Sequence, residues 1–208
     1  MLDLRQRLGI PLAVATIPAT TEAALTQALG SEPEVTVVQH GYDHRNHAAP
    51  GAKKAELAEG RDPAVVVANL KKGRGQLEGL FGKRFRTVLV PPWNRIDPNL
   101  IAYLPEAGFQ VLSGFSGKKT LPSVPGLLRA DCHIDVIDWH GNRGFIGTSA
   151  ALDQAVAALG RARGVIGLLT HHRVMDRPAW NFVATFADRV AAKGGRWTDV
   201  IEAAKAGV

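Results

Sequence analysis

Cysteine is nearly absent from this chain. Its 208 residues include one, Cys132, so no disulfide forms within the chain and no metal can be held by thiolates alone. A bound metal must take its ligands from histidines and carboxylates. Long apolar runs are missing as well. The longest, such as Ile10–Ile17 and Val165–Leu169, fall far short of the roughly 20 residues that span a bilayer, and no basic-then-apolar leader opens the chain. The expectation is a cytoplasmic protein with no membrane partner. Linkers, low-complexity tracts and short repeats are also lacking, which argues against disorder, coiled coil and multi-domain arrays.

What is present describes one ordinary domain. With 46% hydrophobic and 21% charged residues, a chain of this length buries roughly 70% of its unfolded surface, so a single domain over 1–208 is expected. Lysine and arginine number 25 against 19 acids, for a formal net charge of +6. The basic residues are dispersed in pairs, Lys53–Lys54, Lys71–Lys72, Lys83–Arg84 and Lys118–Lys119, on presumed helix and loop surfaces. Solvated faces explain them better than a nucleic-acid site does.

Strand and helix signals alternate along the chain. Ile10–Ile17 lacks alternation, as a strand buried on both faces does. Thr20 or Thr21 can cap a helix over Glu22–Leu29 that Gly30 ends. Val35–Gln39 is a second strand. Asp62–Pro63 opens a helix to about Phe81, with Gly73 and Gly75 as weak points, and Asp97–Pro98 repeats that start signal for a helix ended by Gly108. Thr87–Val90 and Phe109–Leu112 read as strands, Leu127–Ile137 contains a fifth, and Val165–Leu169 is a sixth. Ser149–Ala162 and Pro178–Lys193 read as helices. The class is α/β.

All seven histidines fall in three windows: His40, His44 and His47; His133 and His140; His171 and His172. Each window begins at or just after a predicted strand end. In a β/α barrel or doubly wound sheet the C-terminal strand ends share one face, where ligand sites collect. Pro92, Trp93 and Asn94 join them after the third strand, as do Asp135, Asp138 and Trp139 near the fifth.

The spacing of four between His40 and His44 lets both imidazoles face one metal, and neutral imidazole suits Zn²⁺ and other late transition metals. His47 could be a third ligand or support the site, though exposure is expected. Two histidines leave a catalytic site wanting another ligand and a water, and zinc-bound water supplies hydroxide near neutral pH, so hydrolysis is the natural chemistry. A histidine at 171 or 172 could protonate a leaving amine. Asp138 could orient that imidazole or cap a loop, and Trp139 could pack on a sugar ring or belong to the core.

In order, His40–Gly41–Tyr42–Asp43–His44, Val90–Pro91–Pro92–Trp93, Asp135–Val136–Ile137–Asp138–Trp139 and Leu168–Leu169–Thr170–His171 resemble the motifs of the polysaccharide deacetylase family, the NodB-homology domain of carbohydrate esterase family 4. The resemblance runs along nearly the whole chain. It implies a distorted (β/α)₇ TIM-like barrel that hydrolyses N-acetyl groups on carbohydrates with metal-activated water. By that resemblance His40 and His44 are metal ligands for Zn²⁺, with Co²⁺ an alternative, and His171 is the general acid. Asp138 would tune that acid with Trp139 beside it, and Pro92 and Trp93 would line the substrate groove.

Two departures from the family pattern matter. Its Thr-Phe-Asp-Asp-Gly motif on the first strand, which supplies a third ligand and the base, has no counterpart here, and Leu2–Gly9 resembles the helix that follows it. Asp3 is a poor substitute. The expectation is therefore a barrel missing its first strand. Val90 also stands where the family has arginine, with Arg95 nearby. Alternatives are a hydrolase of a small non-sugar amide of the purine-catabolism type, and a non-catalytic carbohydrate-binding relative.

Overall fold

The computed structural model describes residues 1–30, 32, 34–116, 121–160 and 165–207. The Lys118–Lys119 pair and the expected helix end at 161–162 lie outside the described residues.

Among the described residues seven strands pair in parallel. Strands β1 (Leu12–Thr16), β2 (Val35–His40), β3 (Phe85–Val90), β4 (Val111–Leu112) and β5 (Leu128–Arg129) form one sheet in sequence order, and β6 (Cys132–Asp135) pairs with β7 (Gly167–Leu169) in a second. A parallel bridge between Phe115 and Cys132 joins the segment after β4 to β6. Among the described strands β1 and β7 each have one hydrogen-bonded neighbour, so these strands do not form a closed ring. Parallel order places every strand's C-terminal end on the same side of its sheet.

Helices α1 (Leu2–Leu8), α2 (Ala23–Leu29), α3 (Pro63–Phe81), α4 (Pro98–Ile101), α5 (Thr148–Leu159), α6 (Arg177–Ala192) and α7 (Val200–Ala206) complete the elements. The Asp-Pro starts form as the sequence indicates: Asp62 accepts from the Ala64 N–H and Asp97 from the Asn99 N–H, each ahead of a proline at the first helical position. Helix α3 buries Val66, Val67, Leu70, Leu77 and Phe81 along one face. Val66, Val67 and Leu70 pack with Leu89, Leu100, Ile101, Leu104, Phe109 and Leu112 in one cluster. Each such side chain contributes roughly 1.5–3 kcal/mol by leaving water. A second cluster, of Ile134, Val136, Ile137, Ala151, Ala155, Phe182 and Val183, seats β6 between α5 and α6.

Several boundaries differ from expectation. Segment 127–137 holds two strands, because Asp131 accepts from both Arg129 and the Gly114 N–H and turns the chain from one sheet to the other. Thr21 does not cap α2; its hydroxyl donates to the Ile17 carbonyl at 2.7 Å, and Glu22 stands at the cap position without a side-chain bond. Regular helix after Asp97 ends at Ile101 and continues as turns to Gly108, whose φ is 88°. Helix α7 is an addition to the expected elements; it starts after Asp199, whose side chain accepts from the Ile201 N–H. No helix among the described residues is long and apolar enough to cross a membrane.

Candidate active site

His40 is the last residue of β2, opposite Val90 in the β2–β3 ladder, and the register shifts between Val37 and Gln39 just before it. Such an irregularity re-aims the side chains that follow it. The His40 Nδ1–H donates to the Val90 carbonyl at 2.9 Å. That carbonyl can only accept, so the bond fixes the tautomer and leaves the Nε2 lone pair available. Burial holds the His40 imidazole down at about 4, and the charges of His44 and His171 act in the same direction. At neutral pH it is therefore an uncharged nitrogen donor.

His44 follows on the loop after β2, its ring 5.2 Å from that of His40 and 4.2 Å from Trp93. Burial lowers its pKa as well. His44, Trp93 and Asn94 have φ of 57°, 56° and 54°, left-handed conformations that cost non-glycine residues roughly 1–3 kcal/mol each and persist only where their surroundings enforce them. Pro92 is buried beneath Gly41, its Cγ 2.7 Å from where a Cβ on that glycine would lie. Trp93 is half-buried beside His44.

From the second sheet, His171 brings its Nε2 within 3.3 Å of Asp135 Oδ1. The Trp139 indole N–H donates to Asp135 Oδ2 at 2.9 Å, and its ring meets His171 edge-on at 4.7 Å. Asp135, at the end of β6, is thus the carboxylate beside the candidate acid. Asp138 turns to its own loop, where its Oδ1 accepts from the Gly141 N–H at 2.8 Å and the His140 N–H at 3.2 Å. Of the two roles open to Asp138, the structure shows the loop cap. Trp139 is 39% exposed and does not belong to the core.

The other histidines stay outside. His47 and His172 are exposed; burial, with Arg61 and Arg173 respectively, lowers each pKa. His133 Nδ1 accepts from the Gly167 N–H at 3.1 Å and ties β6 to β7, while His140 lies exposed on its loop. Arg95 donates to the Lys54 carbonyl, and Asp3 is exposed in the first turn of α1.

No family model matches the chain, and neither does any curated protein at a significant level. Solved structures do. A family 4 acetyl xylan esterase from Clostridium thermocellum, in complex with a cobalt ion, aligns over 97% of this chain and 80% of its own with a TM-score of 0.59 and 13% identity. A candidate polysaccharide deacetylase from Mycobacterium smegmatis aligns over 95% and 78%, with a TM-score of 0.54 and 15% identity. The fold is that of the polysaccharide deacetylases. IcaB from Ammonifex degensii also matches, at a TM-score of 0.50 and 14% identity, over 88% of this chain and 64% of its own.

Within this deacetylase fold the histidine pair suits a metal in part. Two neutral imidazoles, one with its tautomer fixed, fit two positions of a late-transition-metal site. Among the described residues no set of three His, Cys, Asp or Glu side chains converges to complete one.

The sequence motifs also passed over Glu56. It is 1% exposed, and its carboxylate accepts from the Tyr42 N–H at 2.6 Å and the His44 N–H at 2.7 Å. Burial raises its pKa, and the amides of Tyr42, His44 and Asp43 oppose that shift. The one available signal was a single acid between apolar residues in Ala55–Glu56–Leu57–Ala58.

Proposed function

We propose that the two sheets are parts of one distorted (β/α)₇ barrel of the NodB type, and that the chain is a hydrolase that removes N-acetyl groups from a carbohydrate. The observations that support this reading are the His40–His44 pair at the end of β2 and the His171–Asp135–Trp139 group at the ends of β6 and β7, in a deacetylase fold, with the charge of His171 felt at His40. Both halves of an acyl-transfer site are then represented.

His40 and His44 would hold a divalent metal, Zn²⁺ or Co²⁺. Such an ion polarises an acyl carbonyl and makes its bound water acidic enough to supply hydroxide near neutral pH. His171 would give the departing amine a proton from the ring nitrogen turned away from Asp135, while its Nε2 faces the Asp135 carboxylate. Asp135 keeps that ring in place, and Trp139 keeps Asp135 in place. Trp93 and Trp139 offer flat apolar faces on which a sugar ring packs.

The test measures acetate released from N-acetylated oligosaccharides with Zn²⁺ or Co²⁺ present, beside calorimetric metal binding. His40→Ala is expected to abolish metal binding, and His171→Ala to stop acetate release without weakening it. Metal affinity unaltered in His40→Ala overturns the metal assignment. Release from acetylated xylan but not from N-acetyl sugars moves the substrate from amide to ester. A second reading, a carbohydrate-binding relative without catalysis, draws on the absence of a third metal donor among the described residues. Saturable oligosaccharide binding with no acetate release selects it.

A further inference from the structure

We infer that Glu56 is the positioning residue of the histidine pair: its buried carboxylate fixes the turn from Gly41 to His44 and so aims His44 at His40 and Trp93. This rests on His40 and His44 being the metal-holding pair.

A left-handed His44 needs something to hold it. Its own N–H and that of Tyr42, two residues earlier, both point at one carboxylate. Bonds of 2.6 and 2.7 Å are short for backbone N–H donors and hold both amides to the one carboxyl group. The approach is possible because residue 41 is glycine. At its φ of 60° a Cβ would overlap the Glu56 carboxylate and come within 2.7 Å of Pro92 Cγ. The other end of the Gly41–Tyr42 peptide group, its carbonyl, is held by a different side chain. Gln39, fully buried, donates from Nε2 to the Gly41 carbonyl at 2.9 Å and to the Leu70 carbonyl of α3 at 3.2 Å.

Glu56 is also well placed to couple two loops. The His47 N–H donates to the Ala55 carbonyl at 2.9 Å, and the Ala55 N–H donates to Asn46 Oδ1. On the other side the Asp97 N–H donates to the Leu57 carbonyl at 2.8 Å, and Leu57 bridges Ile96. Segment 55–57 therefore ties the histidine loop to the loop that carries Trp93, and Glu56 sits at its centre. Arg61 donates to the Glu56 backbone carbonyl and not to its side chain, which leaves the carboxylate to the backbone amides of Tyr42, Asp43 and His44. Only a carboxylate presents an acceptor to both Tyr42 and His44; a glutamine in the same place turns an NH₂ toward one of them.

The experiment compares wild type with Glu56→Gln by two measurements. In the metal-free proteins, NMR reads the His44 ring resonances and the His44–Trp93 ring contact. In the loaded proteins, calorimetry and visible absorption read Co²⁺ affinity and geometry. The variant is expected to shift the His44 resonances, weaken the ring contact and lower Co²⁺ affinity by about tenfold to a hundredfold, while unfolding remains cooperative. Wild-type resonances and wild-type Co²⁺ affinity in Glu56→Gln overturn the inference. A wild type that binds no Co²⁺ overturns the metal-holding reading instead, and the metal-free spectra then decide the role of Glu56 alone. Should the variant not fold, amide exchange in the wild type decides: slow exchange at Tyr42 and His44 supports the inference, and exchange as fast as in exposed loops refutes it.

Discussion

Asp135 Oδ1 stands 3.3 Å from His171 Nε2, while the other oxygen of the same carboxylate accepts the Trp139 indole N–H at 2.9 Å. A carboxylate held at both ends fixes the ring that meets it. Asp135→Asn is therefore expected to lower kcat for acyl hydrolysis by about 10- to 100-fold, since orienting partners of this kind are worth roughly that much. Asp138→Asn keeps an oxygen for the Gly141 and His140 amides and should cost far less. A larger loss at Asp138 than at Asp135 in steady-state kinetics would return the acid's partner to position 138.

The neighbouring histidines separate in the same assay. His171 points to Asp135 and Trp139, whereas His172 is exposed. General acid catalysis contributes about 10²- to 10⁴-fold, so His171→Ala should lose at least about 100-fold in kcat and His172→Ala should stay within about twofold. Equal losses would mean that His171 is not the acid.

Glycine positions in α3 and before His44 make a stability series. A methyl group added at Gly75 would meet nothing within 4 Å, so Gly75→Ala should stabilise by about 0.5–1 kcal/mol through helix propensity alone. A Cβ at Gly73 would lie 2.6 Å from Gln39 Nε2 and 2.8 Å from Pro18 Cγ, so Gly73→Ala should destabilise despite the same propensity gain. Gly41→Ala combines a left-handed φ with overlap of Glu56 and should cost about 2 kcal/mol or more. Urea midpoints at constant slope check all three. A stabilised Gly73→Ala would show that β2 and α3 have slack at Gln39.

What the sequence made legible was local. Asp62–Pro63 and Asp97–Pro98 carry their capping chemistry within a few residues, and the histidines at 40, 44 and 171 follow apolar runs short enough to be strands. What it hid depends on partners distant in sequence or on the direction a side chain takes in a loop. Asp135 and Asp138 sit in one five-residue motif, and only the end of β6 at Asp135 shows which faces His171. Glu56 belongs to no periodic pattern, and its importance comes from two amides 14 and 12 residues back. The break between β5 and β6 is set by Asp131 reaching across to Gly114, a partner too distant in sequence to show that segment 127–137 holds two strands and not one.

Cys132 supplies a pH-dependent prediction. Burial pushes its thiol up to about 12, and the charges of Asp131 and Asp135 add to the shift. The thiolate is the reactive form, so at pH 8 the folded protein presents almost none of it, while an unfolded chain with an ordinary thiol presents a sizeable fraction. Disulfide-exchange reagents should modify the native protein at least about a hundredfold more slowly than the urea-unfolded protein. Stability follows with the opposite emphasis. Above about pH 9 the unfolded thiol ionises and the folded one does not, so the unfolded state binds fewer protons and this group's contribution to stability falls as pH rises from about 9 toward 12. Cys132→Ala removes that component and should flatten the alkaline side of the stability curve relative to wild type. Native-state modification at the unfolded rate would show that the β6–β7 seam opens readily enough to expose Cys132.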